Sequence, residues 1–185
     1  MPSTMELKDG KVETLFSEHD FAYLVERYMG YEAADYFRSR MKELERATER
    51  RTRSMTNKKL GNDFESAFCE ILFEQGFWCH NLAQNQAGQP ADVIAVRNGK
   101  AYLIDCKVCS RGRFTFSRIE DNQHTAMKAW QNSGNGKGWF ALLCSDRILM
   151  LDYETLKRLS KTQSSIGFDE MCFYGCALEA WVVFA

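Results

Sequence analysis

Two carboxylates and an ammonium stand at the two ends of the segment ADVIAVRNGKAYLIDCK, residues 91–107. Asp92 opens a run containing Val93, Ile94 and Val96, and a second apolar run closes on Asp105-Cys106-Lys107. Between the runs stands Asn98-Gly99, whose residues accept the positive φ angles of a two-residue hairpin turn. The spacing predicts an antiparallel hairpin that returns Asp105 and Lys107 to the neighbourhood of Asp92. Side chains alternate along a strand, so Asp105 and Lys107 share one face and Cys106 turns to the other. Charged groups beside an apolar core are costly unless they are paired or hold a cation. The chemistry that uses this set is metal-dependent cleavage of a phosphodiester.

Several elements must position that hairpin. Gly61 to Gly76 reads as a helix, with Asn62 or Asp63 as its cap and Phe64, Phe68, Ile71 and Leu72 on one stripe. Glu65 lies on this helix. Phe77 to His80 reads as a short strand after the Gly76 stop, and Asn81 to Pro90 as a polar loop. After the hairpin come a polar connector at Ser110 to Arg113, a helix from Ile119 to Gln131 and a flexible turn, NSGNGKG. Trp139 to Cys144 and Ile148 to Asp152 read as strands, Tyr153 to Leu159 as a helix and Ala180 to Phe184 as a terminal strand. The order α-β-β-β-α-β predicts an α/β fold, a central mixed β-sheet flanked by helices.

Residues 1–57 differ from residues 58–185, which predicts a helical, partly basic extension followed by a core. An acidic, weakly structured start precedes helical patterns at Phe21 to Tyr28 and Tyr31 to Leu44. Arg50, Arg51, Arg53, Lys58 and Lys59 then form a basic run suited to contact with a phosphate backbone, against the plainer reading of a solvated helix end.

Bulk composition narrows the classes. The chain has 185 residues, 45% of them apolar and 13% aromatic, which is enough for a packed core. The absence of a long apolar run and of an apolar leader core predicts a cytoplasmic protein with no membrane partner. Its seven cysteines read as reduced, buried thiols in preference to a zinc or iron–sulfur site at Cys106-x-x-Cys109 and Cys172-x-x-x-Cys176.

Together these motifs resemble the PD-(D/E)xK nuclease superfamily, with its restriction-endonuclease-like fold. Gly61-Asn62-Asp63-Phe64-Glu65, Pro90-Ala91-Asp92 and Ile104-Asp105-Cys106-Lys107 resemble the motifs of Holliday junction resolvases. Asn122-Gln123-His124 and Gly138-Trp139-Phe140-Ala141-Leu142-Leu143 resemble the bacterial RecU branch more specifically. The resemblance implies a metal-dependent DNA endonuclease, working as a homodimer on DNA, branched DNA included. Asp92, Asp105 and the Cys106 carbonyl would ligate Mg²⁺ or Mn²⁺, with Glu65 completing the acidic set directly or through water. Lys107 would orient or deprotonate the attacking water, and Gln123 would position the water or the phosphate. Arg111 and Arg113 join the basic run as expected DNA contacts.

Two departures accompany the resemblance. Asp105 stands where the resolvase branch usually has Glu. Residues 81–90 are also too few for the stalk that RecU-like enzymes insert before the Asp92 position. Alternatives therefore stay open: a restriction- or repair-type nuclease acting on duplex or flap DNA, or a DNA-binding module with weak or no cleavage.

Overall fold

The computed structural model describes residues 3–6, 12–15, 35–36, 38–44, 46, 60–82 and 90–185. The chain forms two compact units, residues 1–46 and residues 47–185. In the first, strands β1 (Ser3–Glu6) and β2 (Val12–Leu15) pair antiparallel, and residues 38–44 are helical. An Arg40–Glu43 ion pair of 2.8 Å spans one turn of that helix. The strand pairing corrects the expectation of a weakly structured start. Asp9-Gly10, a hairpin dipeptide, was the available signal. The helical pattern at Phe21 to Tyr28 lies outside the described residues.

The second unit is built on a six-stranded mixed sheet in the order β10-β8-β7-β5-β4-β3. Its strands are β3 (Trp78–Asn81), β4 (Val93–Arg97), β5 (Lys100–Cys109), β7 (Trp139–Cys144), β8 (Arg147–Asp152) and β10 (Cys176–Ala177). All neighbours run antiparallel except β5 and β7. The crossover between those two carries β6 (Arg113–Thr115) and helix α2 (Asp121–Asn132). Strand β6 leaves the main sheet and pairs with β9 (Ser165–Gly167), a small ribbon absent from the sequence reading. The β4–β5 turn is the expected one, with Asn98 at φ 52° and Gly99 at φ 75°.

Helices cover both faces, as predicted. Helix α1 (Leu60–Glu74) packs across β3, β4 and β5, and Phe64, Phe68, Ile71 and Leu72 are all buried. It begins at Leu60, so Asn62 and Asp63 fall inside the first turn and are not the cap. On the opposite face α2 and α3 (Tyr153–Leu159) close a core containing Phe114, Met127, Phe140, Leu142, Leu151 and Tyr153. A Cβ on Gly138 would stand 2.1 Å from the Met127 sulfur, so glycine is what lets α2 lie against the start of β7.

The terminal segment is a correction. Residues 178–184, whose Ala-Trp-Val-Val-Phe reads as a strand, form helix α5 (Leu178–Phe184), preceded by α4 (Phe168–Tyr174). The sheet edge beside β8 is already occupied by Cys176 and Ala177 of β10. Leu178, Trp181 and Val182 then recur at helical spacing on one buried stripe, and Trp181 stacks on Phe77 at 5.6 Å. Packing overrode local β preference. No described helix is long and apolar enough to cross a membrane.

Candidate active site

Strand β5 is ten residues long and its partner β4 only five. Their regular pairing ends at Val93 opposite Ile104, so the outer part of β5 runs on without a β4 neighbour. Asp92 caps that exposed edge. Its own N–H donates to the Ile104 carbonyl at 3.2 Å, and its Oδ2 accepts the Cys106 N–H at 2.6 Å. A strand residue sends its N–H and C=O to the same side, so the Cys106 carbonyl lies on this open edge too.

Asp105 is the most enclosed acid of the group, at 0% exposure. Its Oδ1 accepts a 2.6 Å hydrogen bond from Gln123 Nε2 on α2, and Lys107 Nζ stands 2.9 Å from its Oδ2. Lys107 is thus the ammonium partner of a buried oxygen, and the Asp92 side chain also shares a hydrogen bond with the Asp105 carboxyl. Asp105 and Lys107 therefore do share a face, as the alternation predicts.

Electrostatics follow from this crowding. Burial, reinforced by the charge of Asp92, pushes the Asp105 carboxyl up to about 7 despite Lys107 beside it. Asp92 is also raised, first by burial, while the Cys106 N–H and the Lys107 charge pull the other way. Glu65, reaching the site from α1, is raised by burial and by Asp92, and a hydrogen bond with the Asn81 side chain opposes this. These acids resist ionising together. A divalent cation would remove that resistance by drawing on the oxygens of both aspartates.

Among the described residues no three or more His, Cys, Asp or Glu side chains close around an ion. The available donors are the two aspartates and a backbone carbonyl, a sparse oxygen set suited to a hard cation that keeps several of its waters.

The fold thus brings Glu65, Asp92, Asp105, Lys107 and Gln123 together. Both ends of the Gln123 amide are engaged, since its Oε1 accepts the Glu120 N–H at 3.1 Å as part of the α2 capping box. Arg111 and Arg113 are exposed beyond the end of β5, with Arg113 donating to Ser165 Oγ at 2.9 Å. Arg50, Arg51, Arg53, Lys58 and Lys59 lie outside the described residues. Two contributors escaped the sequence reading. Asn81 bonds Glu65, and the charge of Glu120 acts on Asp92. Glu120-x-x-Gln123 has capping-box spacing and was the readable signal for the second.

Nearby residues have packing roles. His124 Nδ1 lies 2.9 Å from the Tyr153 hydroxyl, and Phe114 and Phe116 meet edge to face in the core. The thiols are less uniform than expected. Cys106, Cys109 and Cys144 are buried, whereas Cys172 is exposed. Cys106 neighbours Asp92 and Cys69, while Cys109 bonds Cys144 on β7, so the two cysteines of the Cys-x-x-Cys pair have separate surroundings.

Comparison with known proteins agrees with this architecture. No curated protein sequence matches the chain. Among solved structures it is similar to Hjc of Archaeoglobus fulgidus, a Holliday junction resolvase from an archaeal hyperthermophile. That similarity has a TM-score of 0.51 at 17% identity, covers 65% of this chain and 96% of the other, and shows the shared fold. The model of the archaeal Holliday junction resolvase family (Hjc) matches residues 56–181, which contain every acid of the site. The finer resemblance to the RecU branch rests on the sequence motifs alone. With an overrunning strand, a capped open edge and a family model spanning them both, the chain belongs to the archaeal Holliday junction resolvase family.

Proposed function

We propose that this protein is a Mg²⁺- or Mn²⁺-dependent endonuclease that hydrolyses phosphodiesters in branched DNA at the open edge of β5. Family membership makes it a DNA-junction nuclease. The observation that supports the metal-dependent mechanism is the crowding of Glu65, Asp92 and Asp105, each held up by burial, with Asp105 oriented through Oδ1 by Gln123.

Asp92, Asp105 and the Cys106 carbonyl would hold the cation, with Glu65 reaching it directly or through water. A cation there supplies Lewis acidity toward the phosphate and lowers the pKa of a water able to attack phosphorus. Lys107 shifts its ammonium from Asp105 to the water and the phosphoryl oxygens, where it orients the one and offsets charge on the other. Gln123 keeps Asp105 oriented throughout. Its amide is engaged at both ends, so its positioning of the water or the phosphate would run through that carboxylate.

The DNA extends from the site toward Arg111 and Arg113, and the run from Arg50 to Lys59 supplies further phosphate contacts. The nuclease core runs from about residue 58, inside the compact unit of residues 47–185, and the basic run leads into it. The protein acts in the cytoplasm as a homodimer, which suits the cutting of two strands of one junction. The RecU-like segments lie within residues 56–181 that the archaeal family model matches, and the short stretch between Asn81 and Pro90 leaves no room for a RecU-type stalk.

The test is incubation with labelled four-way junction, flap and linear duplex in Mg²⁺, Mn²⁺ or EDTA. Metal-dependent cleavage that prefers the junction is expected. Cleavage of flap or duplex in preference to junction would transfer the protein to the repair or restriction reading, and binding without cleavage in either metal would sink the mechanism.

A further inference from the structure

Strand β3 forms one edge of the main sheet, and its two faces differ in chemistry. Cys79 lies on the α1 side, in a depression shared with Cys69, Glu70, Phe73 and Glu74. Alternation turns Trp78 and His80 to the opposite face. There Trp78 is 61% exposed and His80 is exposed as well. Their rings lie almost parallel, 14° apart with centroids at 6.1 Å.

The ladder registers fix what this face leads to. His80 is opposite Ile94, and Ile94 is opposite Leu103 on β5. Leu103, Asp105 and Lys107 alternate onto one face, so the aromatic step and the Asp105–Lys107 pair lie on the same side of the sheet. Two strand spacings and one same-face step separate His80 from Asp105, a distance of about 12 Å. That is roughly three to four base steps at 3.4 Å along one DNA strand. The end of β3 also touches the site directly through the Asn81–Glu65 hydrogen bond.

We propose that Trp78 and His80 form a stacking platform for a nucleobase unpaired close to the scissile phosphate, as occurs at a branch point. The inference rests on the nuclease reading above and adds a contact that selects distorted over continuous DNA. Position favours this occupant on this face, which adjoins the proposed cleavage site and its Lys107 ammonium, whereas the depression on the other side of β3 is lined by Glu70 and Glu74. Every base offers a π-face, so the platform reads local unpairing and not sequence.

The experiment measures binding of four-way junction and linear duplex by anisotropy in an Asp105→Asn background, which should bind without cutting. Trp78→Ala is expected to weaken junction binding roughly five- to hundredfold, Trp78→Phe to retain most of the affinity, and duplex binding to change little. 2-Aminopurine at the branch should be quenched by the parent protein and left bright by Trp78→Ala. Matching melting curves of the variants exclude loss of fold, and Trp78→Phe preserves the test if the alanine variant misfolds. Unchanged junction affinity and quenching in Trp78→Ala overturn the platform. Conversion of a dimer to a monomer by Trp78→Ala also overturns it, by making this edge a contact between copies of the chain. A wild-type protein that cuts no DNA in Mg²⁺ or Mn²⁺ overturns instead the nuclease reading beneath it.

Discussion

The sheet contains two hairpins that begin alike and end differently. Both β4–β5 and β7–β8 turn through two residues, with Asn98 and Ser145 each at positive φ. Both also carry an aspartate at the end remote from the turn. In β7–β8 the strands are equal in length and paired throughout, from Cys144–Arg147 to Trp139–Asp152. Asp152 then has no strand edge to serve, and it caps α3 by accepting from Thr155 N at 3.0 Å and Thr155 Oγ1 at 2.9 Å. In β4–β5 the strands are unequal. The unpaired end of β5 leaves an N–H that Asp92 must satisfy, and it sets a second aspartate beside the first. The mismatch in length makes one aspartate structural and the other part of a charged site.

Breaking the first hairpin should have the largest effect. Asp105→Ala or Lys107→Ala is expected to lower junction cleavage by at least about a hundred- to a thousandfold, with DNA affinity kept for the aspartate variant because a negative charge is removed. Single-turnover cleavage and a binding titration on the same preparation check this, and normal cutting by either variant would remove the site assignment. Gln123→Ala should cost about ten- to a hundredfold in Mn²⁺ affinity or cleavage, the usual range for a residue that orients a ligand. Mn²⁺ binding by paramagnetic resonance distinguishes this from general damage, since a misfolded variant would also lose its melting transition.

Acidity offers a third way to separate the hairpins. In the folded chain burial holds the Asp105 carboxyl up to about 7, whereas an unfolded aspartate ionises near ~4. Its contribution to stability is therefore complete below about pH 4 and is lost as pH rises through about 7. Asp105→Asn should stabilise the metal-free protein by about 1–3 kcal/mol at pH 8, with the gain vanishing toward pH 4. Melting in EDTA across that window is the measurement, and an equal effect at all pH values would count against the buried carboxylate. Mg²⁺ should raise the melting temperature of the wild type at pH 8 more than that of the variant. Smallest is Asp152→Ala, which should cost about 1 kcal/mol through the lost α3 cap and leave cleavage within about twofold. A large loss of activity there would erase the distinction between the two hairpins.

Much of the site was legible because its signals are local. Asn98-Gly99 specifies its turn by the φ angles those residues tolerate, and alternation then pairs Asp105 with Lys107. The stripe on α1 was equally plain and carried Glu65 with it. What escaped was decided at a distance. The 178–184 segment has β-branched and aromatic residues, but the place it would take beside β8 was filled by Cys176 and Ala177. The β6–β9 ribbon joins segments some fifty residues apart, with Phe114 opposite Ile166, and no local pattern announces such a pairing. The bond from Gln123 to Asp105 was hidden for the same reason, because Asp105 comes to it from another element.

By itself the sequence determined the hairpin, the placing of its carboxylates and the helix bearing Glu65. Turn conformation, strand alternation and helical periodicity operate over a few residues, so they can be read directly. Only the tertiary structure decided that β5 outruns β4, that Asp92 caps the exposed edge, and that Asp105 is enclosed between Gln123 and Lys107. Strand length in a sheet and burial of a carboxylate depend on what packs alongside, and those neighbours come from distant parts of the chain.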